Sequence, residues 1–145
     1  MIYTLTVDCL SGLHLKEKCR RVIEISEDAS LLDLHYCIQD AVGFDRDHLF
    51  EFYAGRNPRN RAVRFADPAD LGDDFEGPGR ILLKEIWPLD RMRLYYLFDF
   101  GDEWVFGIRK PRKVKPPEEG VSYPRLVEAI GPDPEQYGDE DEEGC

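Results

Sequence analysis

The sequence is short of the residues that most often build metal and disulfide sites. It contains three histidines and four cysteines in 145 residues, and no two cysteines have the C-x-x-C spacing of a zinc or redox motif. Cys9 and Cys19, which a first hairpin would bring together, are therefore expected to be free buried thiols in a reducing cytoplasm. No apolar run approaches the roughly 18 residues of a membrane-spanning helix, and no secretory signal peptide is recognisable, so we expect no membrane partner.

Signatures of catalysis and of cofactor binding are also scarce. No glycine-rich phosphate loop, nucleophile–base pair or cluster of metal ligands stands out. We therefore expect no cofactor and no metal, and a non-enzymatic protein is favoured over an enzyme. His35 lies on or beside an apolar helical stripe and has no second candidate ligand four residues away, so it is interpreted as a hydrogen-bonded structural histidine.

Acidic residues outnumber basic residues, but unevenly along the chain. The net charge is −11, and residues 133–145 contain seven acidic residues and no lysine or arginine. The remaining 132 residues are only mildly acidic, with a net charge of −4. This distribution predicts one folded domain over residues 1–132 and a disordered acidic tail over 133–145. A surface that binds phosphate backbones generally is not expected.

Hydrophobic periodicity predicts a single α+β domain with a mixed or antiparallel sheet, in an order compatible with a β-grasp. Alternation of apolar residues indicates an opening hairpin between residues 2 and 25, with a turn at Ser11-Gly12. Ser30 as N-cap, Asp33 three residues later and Gly43 after the last turn predict one main helix over 31–42.

Three further segments are placed with fewer signals. Residues 48–53 form the expected third strand, and the segment 81–87 returns to the core as a strand or a short helix. The segment 124–130 begins with proline and is followed by glycine, which predicts a short C-terminal helix.

The most aromatic run, residues 91–108, predicts a central β-hairpin with its turn at Gly101-Asp102. Both of its faces are apolar, so we expect it to be covered on both sides. With a loop of even length, one face carries Tyr95, Leu97, Asp99, Trp104, Phe106 and Ile108, and the other carries Leu94, Tyr96, Phe98, Phe100 and Val105. Only a loop of odd length would shift this register by one residue.

The order of these elements, together with several motifs, resembles the Ri-plasmid ORF-3-like family over about residues 2–138. The motifs are Arg20-Arg21 in a strand, Leu-x-x-Leu-His in the helix, His-Leu-x-Glu-Phe in the third strand and Tyr-x-Phe-Asp-Phe-Gly-Asp-x-Trp in the hairpin. The resemblance implies a compact α+β domain and an association with plasmids and other mobile elements, and no established reaction. The chain departs from the family pattern at Cys19, where tryptophan is usual, at Phe106, where histidine is usual, and at 130–132.

The favoured function is a non-enzymatic binding or interaction module for an unknown protein or small ligand. Aromatic residues near the hairpin tip exceed what one sheet face needs, and they would line a groove. The candidate ligand-binding residues are Asp99, Asp102, Trp104, His48, Glu51 and Arg21. The alternative for the aromatic residues is plain core, and for Asp99 and Asp102 it is a role in pinning the turn.

Two other functions stay open. A nucleic-acid accessory protein would use the basic loops 56–64 and 109–115, for which the acidic tail would compete as a mimic of a polyanion. Its candidate residues are Arg56, Arg59, Arg61, Arg64, Arg109, Lys110, Arg112, Lys113 and Lys115. A metal-assisted hydrolase would instead use Asp99, Asp102, His48 and Glu51.

Overall fold

A computed structural model of the chain is dominated by one β-sheet. The structure describes residues 1–12, 19–44, 50–65, 81–87, 89, 91–98 and 104–132. The strands are β1 (Ile2–Ser11), β2 (Arg20–Ser26), β3 (Phe50–Gly55), β4 (Val63–Arg64), β5 (Arg93–Phe98), β6 (Trp104–Arg109) and β7 (Arg125–Ile130), and the helices are α1 (Leu31–Val42) and α2 (Leu83–Ile86). The strands lie side by side in the order β4-β3-β5-β6-β1-β2-β7.

The predicted α+β class with one main helix is wrong, because strands dominate the described residues. Of these residues 46% lie in strands and 16% in helices. The sheet is antiparallel, and the two helices are short. Two segments account for much of the difference. The β1 strand continues to Ser11, where the sequence predicted a turn, and the C-terminal segment predicted as a helix forms β7.

The helix predicted over residues 31–42 is confirmed as α1, and local side chains set its ends. The Ser30 hydroxyl accepts a hydrogen bond from the Asp33 N–H at 3.1 Å, and the Asp33 carboxylate accepts one from the Ser30 N–H at 3.0 Å. Gly43 ends the helix in the left-handed region, at φ 74°. Four buried residues of α1 pack on one face of the sheet, here called the inner face; they are Leu31, Leu34, Ile38 and Val42.

The predicted central hairpin is formed by β5 and β6, but the predicted register is wrong by one residue. Phe98 pairs with Trp104, so an odd number of residues, five, lies between the paired positions. The predicted assignment of faces assumed an even loop, and a shift of one residue moves every side chain of one strand to the opposite face. The inner face therefore carries Leu94, Tyr96, Phe98, Trp104, Phe106 and Ile108, and the opposite, outer face carries Tyr95, Leu97 and Val105.

The predicted C-terminal helix is also wrong, because this segment pairs with β2 as an edge strand. The ladder runs from Arg125 opposite Glu24 to Ile130 opposite Arg20. A helix of six residues is marginal by itself, whereas the edge of β2 offers a row of backbone donors and acceptors. Arg125 adds an ion pair to Glu24 at 2.6 Å.

One buried hydrogen-bonded cluster joins α1 to the inner face. Gln39 Nε2 donates to the Tyr96 hydroxyl at 2.9 Å, and that hydroxyl lies 2.5 Å from His35 Nδ1. The His35 ring also stacks on Phe50, with ring centroids 3.8 Å apart. Burial raises the pKa of Tyr96 well above its usual range. The interpretation of His35 as a structural histidine is confirmed.

Burial also makes two cysteines poor nucleophiles. It raises the pKa of the Cys9 and Cys37 thiols to about 12, and Cys9, Cys19 and Cys37 are not in disulfide bonds. We therefore expect slow alkylation of Cys9 and Cys37 by iodoacetamide at about pH 8 in the folded protein, and fast alkylation in urea. Peptide mass spectrometry after timed quenching measures both rates.

The same thiols make stability depend on alkaline pH. An unfolded cysteine ionises near pH 8.5, whereas these two stay protonated in the folded state up to about pH 12. Above about pH 9 the folded state binds more protons than the unfolded state, so the free energy of unfolding falls as pH rises. Equal labelling rates with and without urea would contradict this account.

Candidate functional site

Of the six predicted ligand-binding residues, Trp104, Arg21 and Glu51 lie in the described part of the chain. His48, Asp99 and Asp102 lie outside the described residues. Trp104 is fully buried on the inner face, and its ring packs edge-on against Phe44 with ring centroids 5.0 Å apart. The structure therefore places Trp104 in the core, and a site that unites all six residues stays a prediction.

Arg21 is buried and binds backbone rather than an open cavity. Its guanidinium group donates to the carbonyl oxygens of Ala41, Arg20 and Ile130 at 3.0, 2.9 and 3.1 Å. These acceptors belong to α1, β2 and β7. Arg21 therefore ties the end of the helix to the last strand of the sheet.

Glu51 is a buried carboxylate on the outer face of β3, and only 1% of its side chain is exposed. Arg64 donates to Glu51 Oε2 from Nε at 2.7 Å and also from Nη2. Arg61 Nη1 lies 3.1 Å from Glu51 Oε1, but in a direction that does not make a hydrogen bond. Glu51 therefore holds two guanidinium groups, one by hydrogen bonds and one by charge alone.

These arginines lie at a cavity of about 780 Å³ on the outer face, here called the arginine pocket. Its apolar wall comes from β1, β5 and β6. Its basic rim comes from the loop 56–62 and β4. The described lining residues are Leu10, Ser11, Tyr53, Pro58, Arg59, Arg61, Arg64, Leu97 and Val105.

Short-range contacts fold the loop 56–62 back over β3. The Asn57 side chain accepts hydrogen bonds from the backbone N–H groups of Arg59 and Asn60, at 2.9 and 3.1 Å. The Tyr53 hydroxyl donates to the carbonyl of Pro58 at 2.7 Å, and the Arg61 guanidinium lies 5.0 Å from the centre of the Tyr53 ring. Burial raises the pKa of Tyr53 despite the opposing charge of Arg61. The loop is therefore anchored through Asn57, Pro58 and Arg61.

Sequence reasoning identified these arginines as basic but missed their relation to Glu51. Glu51 and Arg64 are 13 residues apart, and they meet because Tyr53 pairs with Arg64 across the β3–β4 ladder. The sequence does contain one indication of the face on which Glu51 lies, because Glu51 and Tyr53 alternate with Phe50 and Phe52. A period of two residues places the first pair on the opposite face from the second.

Some residues of the second predicted basic loop form ion pairs with acidic residues of the sheet, and some line a cavity. Arg109 pairs with Asp8 at 3.2 Å, and Lys115 pairs with the buried carboxylate of Glu24. Arg109, Lys110 and Arg112 line another cavity of about 510 Å³, here called the Trp87 pocket. Its described lining residues are Tyr3, Trp87, Leu89, Met92, Arg93, Ile108, Arg109, Lys110 and Arg112.

The remaining predicted basic residues and the hydrolase set are placed as follows. Arg56 and Lys113 are exposed. Of the four hydrolase residues only Glu51 is described, and both of its oxygens face arginines. Within the described residues, no three histidine, cysteine or acidic side chains are grouped closely enough to hold a metal ion. No helix in the described ranges is long and apolar enough to cross a membrane.

Comparison with known proteins gives a family and related structures. A family model described as plasmid pRiA4b ORF-3-like protein matches residues 2–141. An uncharacterized protein of Sinorhizobium fredii, y4hQ, is 32% identical over 120 residues, which are 81% of this chain and 58% of that protein. The chain thus spans less than two thirds of the length of this relative.

The fold is shared with an archaeal protein. The crystal structure of a protein of unknown function, MM3350 from Methanosarcina mazei Go1, matches with a TM-score of 0.67 and 25% identity, over 88% of this chain and 68% of that one. The resemblance inferred from the motifs is confirmed by these matches. Because the family match covers almost the whole chain, this protein belongs to the plasmid pRiA4b ORF-3-like family.

Proposed function

We propose that this protein is a non-enzymatic binding module that takes an anionic ligand in the arginine pocket. One observation carries the proposal. A buried carboxylate, Glu51, holds the guanidinium groups of Arg61 and Arg64 at the rim of a cavity that Arg59 also lines. Arginines held in place lose little freedom when they bind a carboxylate or phosphate, and they bind it through paired hydrogen bonds.

The charge of the pocket favours an anion. Three guanidinium groups face one carboxylate, so the rim keeps a surplus of two positive charges among the described residues. Glu51 lies beneath the rim, and the side chains of Arg61 and Arg64 are 42% and 57% exposed. Both side chains therefore reach the solvent, while the carboxylate below fixes their positions.

The shape of the pocket adds an apolar component. Leu10, Leu97 and Val105 line the side opposite the arginines, and Tyr53 lies between the two. Ligand cavities commonly combine an apolar wall with a few polar anchors, and this volume lies within their usual range of about 300–1,000 Å³. An organic anion, or a polyanion that lays one group in the pocket, fits this arrangement.

We expect isothermal titration calorimetry at low salt to detect binding of at least one of three probes: pyrophosphate, citrate or a ten-residue oligothymidylate. Arg59→Gln should weaken that binding about tenfold or more, since one charge-assisted hydrogen bond is lost. Arg59 is chosen because it has no ion pair with a described residue, so its loss leaves the pairs of Glu51 intact. Affinity should fall as salt is added.

Arg56→Gln is the matched control. It removes the same charge from the same loop, but Arg56 does not line the arginine pocket in the described structure. If both variants weaken probe binding equally, the effect comes from the overall charge of the loop and not from the arginine pocket. Absence of heat with all three probes at low salt would contradict the proposal.

The nucleic-acid alternative is favoured by one observation: each predicted basic loop contributes three residues to a cavity. They are Arg59, Arg61 and Arg64 in one cavity, and Arg109, Lys110 and Arg112 in the other. The oligothymidylate probe tests this function directly. Binding of the oligonucleotide with no binding of pyrophosphate or citrate would favour a nucleic-acid accessory role over a small-ligand module.

A further inference from the structure

The Trp87 pocket has a lining of one charge sign. Arg93, Arg109, Lys110 and Arg112 contribute to it, and the described lining includes no carboxylate. This composition is unexpected in a chain with 30 acidic and 19 basic residues. A cleft lined by one sign of charge concentrates ions of the opposite sign.

The positive charge of this pocket is only partly neutralised. Arg109 pairs with Asp8, which also accepts a hydrogen bond from Arg20 at 2.6 Å. Arg93 and Arg112, both exposed, have no ion pair with any residue in the described ranges. Two exposed guanidinium groups that line the cavity therefore have no ionic partner among the described residues.

The rest of the described lining of the same pocket is aromatic and apolar. Trp87 follows α2, is partly exposed and meets Tyr3 edge-on, with ring centroids 5.8 Å apart and planes at 88°. Lys110 Nζ lies 4.7 Å from the centre of the Tyr3 ring. Leu89, Met92 and Ile108 complete the apolar lining. A ligand with only a phosphate group would leave this surface without a partner.

We propose that the Trp87 pocket binds a ligand that carries an aromatic ring and a phosphate group, of which a mononucleotide is the simplest example. The ring contacts Trp87, because aromatic side chains are platforms on which bases stack. The phosphate binds Arg93 and Arg112. The volume of about 510 Å³ lies in the range of small-molecule sites.

This site is separate from the arginine pocket. Arg93 begins β5 and lines the Trp87 pocket, whereas Leu97, four residues further along the same strand, lines the arginine pocket. Four residues of a strand span roughly 13 Å. The two cavities thus lie toward opposite ends of β5, and neither site depends on the other.

Tryptophan fluorescence provides a local test, because the chain has two tryptophans and Trp104 is fully buried. We expect AMP to change the fluorescence of Trp87 in a saturable manner. Adenosine, which lacks the phosphate, and inorganic phosphate, which lacks the ring, should each bind about tenfold or more weakly than AMP, as measured by calorimetry. The double variant Arg93→Gln/Arg112→Gln should weaken AMP binding by a similar factor, and Arg56→Gln should not.

The outcomes separate this site from the arginine pocket. AMP binding that survives Arg93→Gln/Arg112→Gln but is lost in Arg59→Gln would place the nucleotide in the arginine pocket and overturn this inference alone. Equal affinity for AMP and inorganic phosphate would overturn the aromatic part of the assignment. Absence of any AMP response in the unmodified protein would overturn it completely. Calorimetry on the arginine variants needs no change at Trp87, so the test does not depend on how Trp87 variants fold.

Discussion

Replacement of Trp104 by alanine is expected to lower the free energy of unfolding by about 3–5 kcal/mol. The indole is fully buried and packs against Phe44. The backbone also closes on it, because a methyl group at Gly12 would lie 2.3 Å from the ring atom Cε3. The cavity left by alanine therefore cannot collapse without moving β1 or α1. Urea unfolding followed by far-ultraviolet circular dichroism measures the loss.

Trp104→Phe is the matched control for this cavity. Trp104 Nε1 has no hydrogen-bond partner among the described residues, so the substitution removes no described hydrogen bond. Phenylalanine also fills most of the volume of the indole ring. We expect a clearly smaller loss of stability and unchanged anion binding. If both variants lose the same free energy, cavity formation is not the cause. If Trp104→Phe folds but no longer binds the probes, Trp104 belongs to the ligand site, as the sequence predicted.

Simultaneous replacement of Arg61 and Arg64 by methionine is the second prediction. We expect this double variant to have a free energy of unfolding about 3–5 kcal/mol below that of the unmodified protein. The methionines keep most of the side-chain length but leave Glu51 buried without an opposite charge. A carboxylate in that state has lost its hydration, and no ion pair offsets this desolvation cost. Thermal and urea unfolding of the double variant measure the effect.

Addition of Glu51→Gln to that double variant should restore most of the stability. Glutamine has nearly the shape of glutamate but is neutral, so it removes the unpaired charge that causes the loss. The pair Arg56→Met/Arg59→Met is the control, because neither arginine has an ion pair with a described residue. A triple variant no more stable than the double variant would show that the arginines act through packing and not through charge.

The parts of the fold that sequence could predict are those fixed by neighbours along the chain. The capping box of Ser30 and Asp33 and the left-handed Gly43 lie within 14 residues of one another, and α1 has the predicted bounds. The prediction of the hairpin register was wrong because the register depends on whether the loop before Trp104 has an even or odd length. The prediction of a helix at 125–130 was wrong because this segment pairs with the edge of β2, a strand about 100 residues earlier in the chain.

The candidate sites show the same division. The basic loops were recognised from composition, but their grouping into two cavities depends on the β3–β4 ladder and on the neighbours of β5. Trp87 was assigned to the core, and its position beside Arg93 and Lys110 has no signal in local sequence. Pocket geometry is formed by contacts between distant segments, which periodicity does not encode.

The position of β1 in the sheet has a consequence for synthesis of the chain. This first strand lies between β2 and β6, and its pairing with β6 joins Val7 to Ile108. Synthesis proceeds toward the C-terminus, so one edge of β1 stays open until β6, about 100 residues further along, has been translated. Pairing of β1 with β6 therefore follows its pairing with β2, and until then the growing chain presents a strand with one unpaired edge.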